Sequence, residues 1–132
     1  MNILDENIID SQRHRLRQWR IAVRHLGYDV GRQGMKDQEI IALLHRVRRP
    51  TFLTRDEDFY APRLCHAQYC WVYLAVAKDE VAPFVRRLLR HWEFDTVAKR
   101  MGTVVRVSHA DLSVWRLHAE QAIHVAWGTW MQ

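Results

Sequence analysis

The feature that most constrains the fold is the run CWVYLAV at 70–76, seven apolar residues in succession. It has the length of a strand and falls far short of the roughly 20 residues that span a bilayer. A strand with one wet face would alternate apolar and polar residues. A continuous run suits a parallel strand covered on both faces, so the chain must supply helices to both sides of a sheet.

The flanking sequence supplies them. MNIL reads as a first strand, stopped by Asp5 and Glu6. In SQRHRLRQWRIAVRHLGYDV, Leu16, Trp19, Val23 and Leu26 keep helical spacing and Gly27 is a natural stop, which predicts a helix over 11–26 with YDV as a short strand after it. A second helix is expected from Asp37, its cap, through Ile40, Leu43, Leu44 and Val47 to the stop at Pro50. TFLT is a strand, 60–66 a short helical stretch, and DEVAPFVRRLLRHWEF a helix capped by Asp79 with Pro83 in its first turn. TVVRVSHADLSVWRLH reads as two strands about a turn near His109 and Ala110. The expected fold is α/β: a single-domain α/β/α sandwich with a mainly parallel central sheet and a C-terminal antiparallel hairpin over 1–117. The residues 118–132 form an extra tail, whose Trp127 and Trp130 pack back or meet a partner.

A chain of 132 residues suits one domain with a core. Without an apolar span, or a basic stretch leading into one at the N-terminus, it is expected in the cytoplasm and not in a membrane. Cys65 and Cys70 have neither CxxC nor zinc-site spacing. Twenty Lys and Arg against fifteen Asp and Glu give a net charge of +5, nearly all of it arginine, whose planar fork suits phosphate. That balance points to nucleic acid over a neutral metabolite.

Acids recur at strand ends. Asp5 and Glu6 follow the first strand, Asp56 and Asp58 follow TFLT, and Asp37 opens the helix between them. Ligand sites in open α/β sheets lie outside the carboxyl ends of the strands. Carboxylates gathered there repel one another unless a cation neutralises them, and hard donors of this kind suit Mg²⁺ or Mn²⁺. Each acid also has a structural explanation: a turn at Asp5, a helix cap at Asp37, a solvated loop at Asp56 and Asp58. Arg13, Arg15, Arg17 and Arg20 on the first helix, Arg46, Arg48 and Arg49 at the end of the second, and Arg55 beside the acidic loop are the candidate phosphate contacts. His14, His25, His45, His91, His118 and His124, on or near helices without ligand spacing, are expected at surface or boundary positions; His66 and His109 stand apart without a carboxylate partner visible in the sequence, and no histidine is given a catalytic role. Trp19 is a candidate base-stacking residue.

Four motifs, ILDEN at 3–7, GYDV at 27–30, KDQEI at 36–40 and LTRDEDF at 53–59, occur in an order that resembles the PIN-like domains, in the compact DEN-motif branch related to VapC-type toxin ribonucleases. The resemblance implies a metal-dependent endoribonuclease of a toxin–antitoxin pair, with RNA as substrate and a small antitoxin as partner. It carries the metal-binding and catalytic roles to Asp5, Asp37, Asp56 and Asp58, and supporting roles to Glu6, Asn7 and Thr54. The arginine-rich first helix and the Trp-bearing tail depart from the pattern; the tail suits a homodimer or antitoxin interface. Two other readings compete. A phosphoacceptor receiver domain would need a Lys after its fifth strand, which TVVRVSHA does not offer. A PIN-like RNA- or protein-binding module without catalysis would keep the basic face and the tail.

Overall fold

In the computed structural model, described for residues 1–128, the chain runs β1 (Asn2–Leu4), α1 (Asp10–Gln18), β2 (Arg24–His25), α2 (Asp37–Arg46) and β3 (Thr51–Thr54). Two 3₁₀ turns, Glu57–Phe59 and Pro62–Leu64, lead to β4 (Cys70–Leu74), α3 (Val81–Arg90) and α4 (Val97–Arg100). The strands β5 (Thr103–Val107), β6 (Leu112–Arg116) and β7 (Ile123–Val125) follow. They form one seven-stranded sheet of order β2-β1-β3-β4-β5-β6-β7. The pairs up to β5 are parallel, whereas β6 and β7 join antiparallel.

Side-chain alternation divides the core in two. Ile3, Phe52, Trp71 and Val104 stand in register across four strands and pack against Ile40, Leu43 and Leu44 of α2. Their neighbours Leu4, Leu53, Val72 and Val105 face the other way, onto Leu16 of α1 and Val81, Val85 and Leu88 of α3. Helices therefore cover both faces, as the apolar run in β4 requires. The helices α1 and α3 are also tied by polarity, since the Gln12 side chain accepts the Ala82 N–H at 2.8 Å. That bond satisfies one of the unpaired amides of the first turn of α3, where Pro83 also sits without loss.

Several local expectations are corrected. The first helix ends at Gln18, not at residue 26, and Arg20 turns the chain with a left-handed φ of 62°. Beyond it Val23 and His25 are buried while Ala22 and Arg24 are exposed, a period of two that belongs to β2. The spacing of Val23 and Leu26 from Leu16 fitted a helix as well as this turn and strand. YDV is a tight turn rather than a strand: the Asp29 carboxylate accepts the His25 N–H at 2.9 Å, and Gly27, at φ 90°, permits the reversal. Asp37 is the first residue of α2 rather than its cap; Lys36 takes that position, its N–H donating to Glu39 Oε1 at 3.1 Å. At α3 the cap position is Glu80, not Asp79.

The stretch 60–66 carries a 3₁₀ turn, and α4 was not foreseen. The tail contributes β7 to the sheet, and Trp127 is buried against Phe84 and His91 with its indole N–H donating to Ser108 O at 2.8 Å. Trp130 lies outside the described residues. Among the described residues, no helix is long and apolar enough to cross a membrane.

Candidate functional site at the carboxyl ends of β1 and β3

The path β1-α1-β2 moves outward on one side of β1, and α2 carries the chain back across it to β3. Strand order thus reverses between β1 and β3, where helices diverge to opposite faces and leave a crevice beyond the strand ends. A cleft of about 290 Å³ opens there, lined by Asp5, Asn7, Ile8, Arg55 and Asp56.

Pairing places Asp5 firmly, because its N–H donates to Leu53 O at 2.9 Å and extends the β1–β3 ladder by one residue. Its carboxylate accepts from Glu6 N–H at 2.7 Å through Oδ1 and from Thr54 Oγ1 at 2.6 Å through Oδ2. Thr54, fully buried at the end of β3, also accepts the Asp56 N–H at 3.0 Å. One hydroxyl therefore links the two acidic loops. Burial pushes the Asp5 carboxyl above its ordinary value, the Thr54 hydroxyl and the Glu6 N–H oppose that, and the neighbouring Asp56 and Glu6 charges add to it. Each Asp5 oxygen retains a lone pair for a further partner.

The acidic loop is held from below. Phe59 stacks on Trp71 with ring centroids 4.9 Å apart, and Phe52 meets the same indole edge-on. Asp56 Oδ1 accepts the Asp58 N–H at 3.0 Å, closing the turn. Asp56 and Asp58 are both exposed, but Asp56 lines the cleft and Asp58 does not. Asp37 is exposed at the start of α2, also outside the lining, where the helix dipole favours an acid. Glu6 turns toward the loop before α2 and accepts Gly34 N–H at 2.8 Å, while its carbonyl accepts from His25 Nε2 at 3.0 Å. Asn7 lines the cleft.

The arginines are divided. Arg55 lines the cleft, its Nε donating to Val76 O at 2.9 Å, which fixes the direction of its fork. Arg13 is paired with Asp10 and Arg17 with Asp29. Arg15 and Arg20 are exposed, on α1 and in the turn after it, and Arg46 lies at the end of α2. Arg48 and Arg49 precede β3 and therefore lie at the amino end of the strands, opposite the cleft. Trp19 is covered by Arg86, whose guanidinium carbon is 3.6 Å from the ring centre, so that face is occupied. His25 and His91 are buried, in contrast to the surface or boundary positions expected. Ile8, which lines the cleft, and the Val76 carbonyl, which holds Arg55, were missed by sequence reasoning; neither carries a local signal.

Among the described residues, no three His, Cys, Asp or Glu side chains converge as a ligand set. The two lining carboxylates match what Mg²⁺ commonly takes from protein, one or two carboxylates, with water and phosphate completing six positions. The comparisons with known proteins return no match: no family model matches the chain, nor does any curated protein or any solved structure.

Proposed function

We propose that the chain is a Mg²⁺- or Mn²⁺-dependent endoribonuclease acting in the cleft between β1 and β3. The observation that carries this reading is the half-buried Asp5 carboxylate, bonded through Thr54 to the loop of Asp56, with Arg55 on the same wall. Asp5 and Asp56 would hold the ion, with Asp58 and Asp37 as outer acids. A divalent ion there supplies activation of a water and charge neutralisation at the phosphate being cut. Thr54 fixes the direction of Asp5, and Ile8 limits water on one side. Arg55, with its Nε committed to Val76 O, offers its terminal nitrogens to a phosphate oxygen. The toxin role and a small antitoxin partner rest on the motif resemblance alone.

Purified protein is to be incubated with a mixed single-stranded RNA pool and Mn²⁺ or Mg²⁺, beside EDTA and an Asp5→Asn, Asp56→Asn double variant. The expected result is metal-dependent cleavage that the variant loses by about a hundredfold or more. Cleavage that persists in EDTA, or equally in the variant, overturns the reading. The position of Asp37 outside the cleft favours a second one, an RNA-binding module without catalysis. Salt-sensitive RNA binding with no cutting under any metal supports that alternative.

A further inference from the structure

At the opposite, amino end of the strands lies a second pocket, of about 340 Å³, lined by Met1, Asn2, Ala22, Val23, Arg24, Val97 and Arg100. Its chemistry is set by Arg100, which is only 5% exposed. The guanidinium Nε donates to Thr51 Oγ1 at 3.0 Å and Nη1 to Phe94 O at 2.7 Å. Both acceptors are neutral, and Nη2 has no hydrogen-bond partner among the described residues. Burial lowers the Arg100 pKa from its usual value, yet arginine stays charged in proteins, so its charge is retained at a desolvation cost. The acid whose charge reaches it, Asp95, is already bonded to Lys99 Nζ at 2.9 Å.

The second cation, Arg24, is exposed on β2 and lines the same pocket. The charge of Arg49 is felt with that of Arg100 at the start of β1. The lining includes no acid. The wall itself is built, since Asn2 Nδ2 donates to Ala22 O at 3.1 Å and ties the chain before β2 to β1.

We propose that this pocket binds a phosphate group, received by the Nη2 side of Arg100 and by Arg24. A guanidinium fork matches phosphate geometry, and the volume accommodates a phosphate with part of a nucleoside attached. The site is independent of the nuclease reading, because the strands of the sheet separate it from the cleft. The phosphate is either the terminal group of a free nucleotide or an internal phosphate of an RNA strand, two sources of one chemistry.

The test is a titration of the full chain with inorganic phosphate, followed by amide NMR shifts, with chloride at matched ionic strength as control. Saturable shifts are expected at residues 22–24 and 97–100. Arg24→Ala, on an exposed side chain, should weaken the affinity by about tenfold, as should Arg100→Lys, which keeps the charge and loses the fork. Circular dichroism reports whether each variant is folded. If Arg100→Lys does not fold, Arg24→Ala decides. Shifts that chloride reproduces, that do not saturate, or that Arg24→Ala leaves unchanged overturn the proposal. With phosphate binding established, adenosine 5′-monophosphate against a 5′-hydroxyl RNA oligomer distinguishes the terminal from the internal source.

Discussion

At the carboxyl ends of β1 and β3 the cleft is lined by two acids, Asp5 and Asp56, beside one arginine, Arg55, whereas at the amino ends of the same two strands Asn2 and Thr51 adjoin two arginines, Arg24 and Arg100, and no acid. Thr51 and Thr54 do comparable work at the two ends, one bonded to a guanidinium, the other to a carboxylate. At about 3.3 Å per residue their Cα atoms stand about 10 Å apart along β3, and alternation turns the two side chains to opposite faces. The comparison teaches that a parallel sheet can hold opposite charges in one small domain, each half-met by neutral hydrogen bonds and each left with capacity for an external ion.

The largest effect expected concerns what seals the carboxyl end. Trp127→Ala should cost about 3–5 kcal/mol in urea unfolding, because it empties a site under α3 and frees Ser108 O. A loss below about 1 kcal/mol would mean that the C-terminal segment is not part of the core. Thr54→Val removes the hydroxyl shared by Asp5 and the Asp56 N–H, and should lower RNA cleavage by about tenfold to a hundredfold with little change in RNA binding. Unchanged cleavage would detach the two acidic loops from one another.

The pH dependence separates the ends further. Asp5 is raised above its usual value of 3.8, so the folded state holds that proton more tightly than the unfolded one. Without metal, stability from this group is greatest below 3.8, falls as pH rises toward the folded pKa, and is level above it. Asp5→Asn should remove that fall in urea unfolding measured across the window; an identical slope in the variant would contradict the placement of Asp5. The smallest effect should be on salt dependence. Arg55→Ala should reduce the slope of log affinity for RNA against log salt by about one, and Arg48→Ala, at the amino end, should leave it unchanged. Equal changes would show RNA crossing both ends.

Legibility in the sequence followed the range of the interaction. The apolar run in β4 required a sheet covered on both faces, and the hairpin of β5 and β6 showed as two strands about a turn near His109 and Ala110. The segment after Gln18 did not, because Val23 and Leu26 satisfy helical spacing while their backbone pairs as a strand and turn, an outcome set by the partner strand β1. At the cleft, Asp5 and Asp56 were legible as strand-end acids. The departure of Asp37 and Asp58 from the lining was not, since it depends on how two loops turn. Arg100 offered no signal at all: in AKRMG it looks like a surface cation, and it is held by the nearby Phe94 carbonyl and by Thr51 of β3, which is far away in sequence.

The sequence by itself determined the alternation of strands and helices, the excess of arginine and the acids at the ends of β1 and β3, because periodicity, composition and strand ends are local properties. Tertiary structure alone decided which acids share a cleft, which arginines stand at the other end, and where Trp127 is buried. Those depend on a strand order that reverses at β1 and on contacts between residues tens of positions apart, whose free energy no short stretch of chain contains.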